Sequence, residues 1–398
     1  MENSRLHKTE KWVFYFMCGF ALFSSISIAV GNIFLSLSLA GLLYRCYLRH
    51  DDLLERLCPD RKVMLVLAAV IAAAALSAAF SGDILWGLRV FGDHYFYRMT
   101  GLFAVLIAVK DKKRLWILVE LALASLLINN LHCLWEAWVR PDHRAGGFLG
   151  FYMPTAGALS IETTLLLIFG ISAKRLRDRC LCWGMFLIAV LALLYTETRG
   201  AWIAVAVAAV LSSALLAQSK KKCLLACLAA LLLLIGGVSM SHSLQMRMVS
   251  ITDRDFQSNS ERILIWTSAW HMFQDHPLLG VGVGQYERAY QTEYIMPAAK
   301  ERQLGHAHSN VMQMFAERGA LGGIAFLAMW GYLTWFSVRG WQKRRELAYL
   351  ALFAMVTGMM IQGLTEYNMG NSVVAKLFWF SIAVALQWIR MTREEVKE

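Results

Sequence analysis

The chain has 398 residues, of which 58% are hydrophobic and only 17% are charged, and its formal net charge is +11. Soluble globular proteins have about 45–50% apolar and about 25% charged residues, so this composition excludes an ordinary soluble domain. A basic balance can indicate nucleic-acid binding, but positively charged loops on one side of a membrane produce the same excess. We therefore expect membrane lipids, and no nucleic acid, as partners.

Apolar runs long enough to cross a bilayer, about 17–25 residues each, recur along the chain. They predict an all-α polytopic membrane protein with about twelve transmembrane helices. The predicted spans are 12–30, 32–48, 63–80, 95–110, 114–139, 153–171, 181–195, 200–217, 223–240, 308–338, 347–366 and 372–390. Helices 1 to 9 thus occupy 1–240, a large loop with short amphipathic helices occupies 241–307, and helices 10 to 12 with a tail occupy 308–398.

Alternate loops of this predicted bundle are rich in lysine and arginine. Examples are 110–114, 174–179 and 220–222. By the positive-inside rule these loops and both termini face the cytoplasm, and the loop 241–307 lies on the external face.

Arginines nevertheless remain on the external face, where that rule should deplete them. They are Arg89, Arg98, Arg140, Arg144, Arg199, Arg247, Arg254, Arg262, Arg288, Arg302 and Arg318. A guanidinium group presents a planar fork of donors that matches phosphate and carboxylate oxygens, so these residues indicate an external anion site. The alternative is that individual arginines snorkel to lipid headgroups or pair with nearby carboxylates.

The first candidate site segment is the tight turn 196–199, which joins two apolar helices. It holds Arg199 at the membrane surface, where a lipid-linked phosphate would lie. The alternative, left open by the residues alone, is a polar hairpin tip in which Glu197 neutralises Arg199.

The second segment is an amphipathic helix in the long loop. Ser260 is a plausible N-cap, and His276 and Pro277 end the helix. Arg262 then falls in the first turn, where the helix dipole and free N–H groups also favour an anion. The glycine-rich turn 280–286 that follows would let backbone approach a ligand closely, although alternating glycines are a weak signal.

The third segment, 305–310, precedes an apolar helix and contains His306 and His308. A histidine at a membrane–water boundary can accept a proton near neutral pH. The alternative is that the two histidines only cap the helix. Residues two apart do not lie on the same face of a helix, so the two histidines would not bind one metal ion there, and neither is predicted to have a third ligand nearby. A role as a base is therefore favoured over a role in metal binding.

Other sequence features give no metal or cofactor site. Asp253 and Asp255 resemble the paired carboxylates of metal-dependent sugar transferases, but such pairs in polar loops are usually solvated. Cys180 and Cys182 lack a second pair and suitably spaced histidines. The sequence contains no P-loop, dinucleotide-binding fingerprint or HExxH motif. We therefore predict no metal and no cofactor.

Taken in order, these segments resemble the bacterial O-antigen ligase family, whose superfamily includes O-antigen polymerases and related protein oligosaccharyltransferases. The motifs are 196–199, the Arg262 helix with 277–282, and His308-Ser309 followed after nine residues by 319–322. The resemblance covers the whole topology. Gly323 stands where the ligases usually have threonine, which leaves the choice between ligase and polymerase open.

The resemblance implies a metal-independent, inverting glycosyltransferase at the periplasmic face of the bacterial inner membrane. Its donor would be an undecaprenyl-diphosphate-linked glycan, and its acceptor lipid A-core or another glycan. Arg199 and Arg262 would bind the diphosphate, and His308 would be the catalytic histidine. We also assign Arg288 and His306 to substrate binding.

Three alternatives stay open. A polymerase joins two lipid-linked units and should need a second basic site, for which Arg89, Arg140 and Arg144 are candidates. A lipid-glycan transporter should need a charged path through the membrane, and the few ionisable residues within the spans do not trace one. The last alternative is a purely structural membrane protein.

Overall fold

A computed structural model of the chain describes residues 2–57, 60–216, 236, 239, 242–253 and 256–395. Helix is the only regular secondary structure in these residues. Eight of the described helices are long and apolar enough to cross a membrane, and a shorter apolar helix accompanies them. The predicted class, an all-α polytopic membrane protein, is confirmed, whereas the number of spans stays a prediction, because 223–240 lies largely outside the described residues.

The described α-helices are numbered here in chain order. They are α1 (Glu2–Phe23), α2 (Ile28–Leu48), α3 (Leu53–Leu57), α4 (Arg61–Ala79), α5 (Ile84–Gly92), α6 (Thr100–Ala108), α7 (Lys112–Val139), α8 (Tyr152–Ser172), α9 (Leu176–Tyr195), α10 (Arg199–Leu216), α11 (His242–Val249), α12 (Gln257–Asp275), α13 (Tyr286–Ala289), α14 (Asn310–Arg344), α15 (Leu347–Gln362) and α16 (Ser372–Glu395). Short π-helical turns cover Asp93–Tyr97 and Tyr290–Tyr294, and 3₁₀ turns cover Gly147–Leu149 and Asn368–Gly370.

Two predicted boundaries are wrong. The first hairpin turns at 24–27, and Gly31 lies within α2, because the Ser27 side chain accepts a hydrogen bond from the Val30 N–H and caps the helix there. The predicted span 95–110 is a π-helical turn followed by the nine-residue α6, and α5 precedes it within the predicted loop.

The centre of the bundle is formed by α8, α15 and α16. In α8 and α16, 78% of the most apolar window is buried inside the protein, compared with 28% in the peripheral α2. The central helices pack on α10, α14 and α6. The ends of α8, α10, α14 and α15 therefore meet where the long external segment lies.

The positively charged loops gather at the opposite end of the bundle. Glu10 is buried there and lies 3.0 Å from Arg56, 3.5 Å from Arg45 and 2.5 Å from Lys110. Lys112 also pairs with Glu395 on α16. The two ends of the bundle thus differ in charge as predicted, and the assignment of this end to the cytoplasm stays a prediction.

Candidate active site

The three segments singled out in the sequence line one polar cavity of about 260 Å³ at the end of the bundle. Its wall includes the turn before α10, the first half of α12, His308 just ahead of α14, and the end of α15 with the segment that follows. The charged lining residues are Arg144, Glu197, Arg199, Arg247, Glu261, Arg262, Glu301, His308 and Glu366. Lining residues up to 222 positions apart in the chain, Arg144 and Glu366, therefore form a single site.

The turn 196–199 is held in a strained shape by Arg144. Glu197 has a φ of 52°, which is uncommon for a residue other than glycine. Arg144 donates hydrogen bonds to the carbonyls of Thr196 and Glu197 and to the Thr198 hydroxyl, at 2.8–3.1 Å. Burial lowers the pKa of Arg144 to about 10, so it remains charged near neutral pH. Arg144 fixes the turn from which Arg199 projects.

Arg199 is not neutralised by Glu197, because Glu197 pairs with Arg247 at 3.1 Å. Its guanidinium group donates instead to the carbonyl and hydroxyl oxygens of Ser250, at 2.6 and 2.8 Å. It also donates to Ser258 Oγ at 2.7 Å and Asn259 Oδ1 at 2.9 Å. These acceptors in the described part of the chain are neutral, so the positive charge of Arg199 is available to an anion in the cavity.

The helix that carries Arg262 begins four residues earlier than predicted. It starts at Gln257, and Ser260 is not its cap, since the Ser260 hydroxyl donates back to the Gln257 carbonyl. Arg262 therefore lies in the second turn, and the predicted help from the helix N-terminus applies less directly, because the dipole effect decays within the first turn. As predicted, the helix ends at Asp275, just before His276 and Pro277.

Arg262 faces the cavity with one loose ionic partner. Its Nη2 atom lies 3.9 Å from a Glu366 carboxylate oxygen, and about a quarter of its side chain is exposed. The preceding residue, Glu261, accepts hydrogen bonds from the N–H groups of Lys300 and Glu301. Glu261 thus ties α12 to the loop that leads to the histidines. Glu366 is the ionic partner of Arg262 among the described residues, so within this part of the chain Arg262 keeps donors for a ligand.

His308 lies at the cavity wall in an unusual backbone conformation. Its φ is 46°, again in the left-handed region that residues other than glycine rarely adopt. It does not cap α14, because Ser309 occupies that position and its Oγ accepts from the Met312 N–H. The capping alternative for His308 is therefore wrong, and its imidazole is turned towards the cavity and Glu366.

Glu366 is a site residue that the sequence analysis missed. Each of its carboxylate oxygens lies 3.4 Å from His308 Nδ1. Burial alone would raise the pKa of Glu366, but the hydrogen bond to His308, followed by the charges of His308, His306 and Arg262, lowers it. An ionised carboxylate at this distance can hold the imidazole in one orientation.

His306 packs behind His308. The two rings have centroids 4.3 Å apart, and His306 Nδ1 accepts a 3.2 Å hydrogen bond from the His308 backbone N–H. Burial, followed by the charge of His308, lowers the pKa of His306 to about 4, so its ring is neutral near pH 7. The expectation that neither histidine has a third ligand nearby is wrong, because His306, His308 and Glu366 each offer a ligand atom within 4.8 Å of the others.

Asn310 brings Glu366 to the histidines. Its backbone N–H donates to the Gly363 carbonyl at 2.7 Å. Its side chain donates to Asn368 Oδ1 at 2.5 Å and accepts from the Met369 N–H at 3.1 Å. A side chain at Gly363 would collide with the Asn310 amide. The start of α14 therefore clamps the connection between α15 and α16, which carries Glu366.

The glycine-rich turn after α12 docks on protein rather than bordering the cavity. Val281 and Gly282 donate backbone hydrogen bonds to Ala316 and Glu317, where α14 breaks at Gly319. Gly280 and Gly319 both have positive φ, and a Cβ atom on either would collide with the backbone of the other segment. This clamp fixes α12, which carries Arg262, to α14, which follows His308.

Gln362 is a second cavity residue that the sequence analysis missed. It is fully buried at the end of α15, and neither its amide oxygen nor its amide nitrogen has a hydrogen-bond partner within the described chain. Unpaired buried amides are costly, so this group is suited to meeting a polar ligand or a water molecule in the cavity.

Three other predicted candidates do not line the cavity. Arg288 is exposed on α13, and Arg89 and Arg140 are exposed elsewhere at this end of the bundle. The geometry thus gives no support to Arg288 as a diphosphate ligand, and its role stays a prediction. Arg144 lines the cavity of Arg199 and a neighbouring cavity of about 600 Å³, but Arg89 and Arg140 line neither, so the three arginines expected to form the second basic site of a polymerase do not come together.

The fold and the site define a polytopic helical membrane protein with an arginine- and histidine-lined cavity at one end. Residues 184–327 match the family model for O-antigen ligase, a region that contains Arg199, Arg262 and His308 and ends before Glu366. No curated protein matches the chain. The family match, over 144 of the 398 residues, confirms the resemblance to the O-antigen ligase family in that part of the chain. A match to this family indicates a glycosyltransferase-like activity on a lipid-linked glycan.

We expect Asn310→Ala to lower transfer by between about 10- and 100-fold, because even a 1 Å shift of a catalytic group is costly. The variant loses both side-chain hydrogen bonds that position the Glu366 segment. Asn371→Ala is the matched control, since the Asn371 side chain accepts from the N–H groups of Val373 and Val374 at the start of α16 and makes no described contact to the Glu366 segment. Initial transfer rates and thermal unfolding are measured for both. Equal loss of transfer at equal stability would contradict the positioning role.

Proposed function

We propose that the protein is a metal-independent, inverting O-antigen ligase-like glycosyltransferase. Its donor is a glycan on undecaprenyl diphosphate, and its acceptor is a hydroxyl group of lipid A-core or a related glycan. The observation that carries the proposal is the convergence of Arg199, Arg262 and the His308–Glu366 pair on one cavity. We place this cavity at the periplasmic face of the bacterial inner membrane.

The arginines act on the leaving group. Transfer breaks the bond between the anomeric carbon of the glycan and the diphosphate oxygen, and negative charge then accumulates on the diphosphate. Fixed guanidinium donors stabilise that charge without reorganisation. Arg262 has donors to spare and makes the direct contact, whereas Arg199 supplies a buried positive charge held by Ser250, Ser258 and Asn259.

His308 acts on the acceptor. The Glu366 carboxylate lies against Nδ1, which favours a proton there and leaves the Nε2 lone pair to accept the proton of the attacking hydroxyl. The new bond joins the acceptor oxygen to the anomeric carbon with inversion, the proton moves to His308, and the lipid diphosphate departs with the bonding electrons. The charge of Glu366 offsets that of the imidazolium formed.

A polymerase of the same superfamily is the alternative. The test supplies purified protein with lipid-linked donor and, separately, with lipid A-core or with a second lipid-linked glycan as acceptor. A ligase modifies the core acceptor, whereas a polymerase extends the lipid-linked one. Product on the lipid-linked acceptor alone would replace the ligase proposal with the polymerase. Flipping of lipid-linked glycan in vesicles without any transfer would favour the transporter.

We expect a cysteine at Gln291 to react with an impermeant maleimide in intact cells whose outer membrane is permeable. Gln291 is exposed in the long segment predicted to face the periplasm. Cys180 is the internal control, because it is a native exposed cysteine at the start of α9, the end of the helix that is predicted to face the cytoplasm. It should react only after the inner membrane is opened. The reverse pattern would invert the topology and move the cavity to the cytoplasm.

A further inference from the structure

We infer that His306, His308 and Glu366 form a binding site for Zn²⁺, and that zinc bound there inhibits transfer. The inhibitory half of this inference rests on the proposed function, because it assumes that His308 is the base. The binding half rests on geometry alone.

The donor set has the chemistry of a zinc site. Two imidazole nitrogens and one carboxylate are a ligand combination that Zn²⁺ takes with an open fourth position. Imidazole ligands favour zinc and related transition metals over Mg²⁺ and Ca²⁺, which prefer oxygen. His308 and Glu366 line the cavity, so the fourth position would face water or substrate.

The distances require a small adjustment. One ligand atom from each residue lies within 4.8 Å of the others. Zinc bonds of about 2.0–2.2 Å hold two ligand atoms at most about 4.4 Å apart, so a modest ring rotation closes the site. Binding through His306 Nδ1 would also replace the hydrogen bond from the His308 N–H, whereas binding through Nε2 would leave that bond in place.

The surroundings make this a reversible site rather than a structural one. Arg262 lies 3.9 Å from Glu366, and Arg199 lies in the same cavity, so both positive charges oppose a bound cation. Zinc would engage the imidazole that accepts the hydroxyl proton and the carboxylate that orients it. Occupancy by zinc and base catalysis by His308 therefore exclude one another.

The test titrates chelator-treated full-length protein with Zn²⁺ by calorimetry, in a Cys180→Ser/Cys182→Ser background that removes a competing cytoplasmic thiol pair. We expect one binding equivalent. His306→Ala and Glu366→Gln should each weaken zinc affinity by about 100-fold. Loss of a residue that only supports the ligands of a metal site already weakens affinity by up to about this factor. His271→Ala and His276→Ala remove exposed histidines of α12 and are the matched controls. X-ray absorption at the zinc edge should show imidazole ligands and no sulfur.

Transfer is then measured at each zinc concentration. We expect the rate to fall in proportion to occupancy of the site and to return on chelation. Unchanged binding in His306→Ala and Glu366→Gln, or sulfur ligation, would overturn the site. Faster transfer with zinc than with chelator would overturn the inhibitory role. If the chelator-treated protein transferred glycan to no acceptor at all, that result would count against the proposed function. The zinc titration would still test the binding site, because it does not depend on transfer.

Discussion

Replacement of His308 by asparagine is expected to lower the rate of transfer from bound donor by about 10²–10⁴-fold, the range typical of a lost general base. Asparagine is the most informative substitution, because it tolerates the positive φ of this residue better than alanine does. Donor affinity should stay close to normal, since base assistance acts in the transition state. Single-turnover transfer and donor binding are measured on the same preparation.

The controls separate base catalysis from local structure. Ser309 and not His308 caps α14, so His308→Asn should leave the stability of that helix largely intact. His276→Asn changes an exposed histidine at the end of α12 and should be close to neutral. His306→Ala should be milder than His308→Asn. Near-normal transfer by His308→Asn would remove histidine from the mechanism.

Replacement of Arg262 by alanine is expected to abolish detectable transfer, with a loss of at least about 100-fold, comparable to removal of one preorganised donor from an oxyanion site. Arg262→Lys should recover little of it, because an ammonium group is a point charge and cannot make two parallel contacts to a diphosphate. Initial rates at saturating donor, together with donor affinity, are the measurement.

Arg302→Ala is the matched control, because Arg302 is an exposed arginine of the same external segment that does not line the cavity. It should retain nearly full transfer. Arg199→Ala should be as severe as Arg262→Ala, and it should also loosen the contact to Ser250, Ser258 and Asn259. Full activity of Arg262→Lys would show that charge alone suffices and would end the argument from bidentate geometry.

Arg199 and Arg262 could be singled out in the sequence because they stand on a side of the bundle where the positive-inside rule disfavours them. His308 could be found because an imidazole at a membrane boundary has few other reasons to be there. Glu366 and Gln362 gave no such signal. Gln362 is the last residue of an apolar helix and Glu366 follows it by four residues. In the sequence, a single polar residue at such a place indicates only that a loop begins.

Hydropathy, loop charge and short motifs are local properties of the chain, so the class of protein and the residues Arg199, Arg262 and His308 of the candidate site could be predicted from the sequence. The residues that complete the candidate site depend on contacts between distant parts of the chain. Glu366 reaches His308 through the clamp that Asn310 makes on the connection between α15 and α16. Arg262 is fixed relative to His308 by the contact between the glycine-rich turn and the break at Gly319. These contacts join residues that are far apart in the chain and depend on the backbone conformation of the folded protein. A local pattern of residue types therefore cannot predict them.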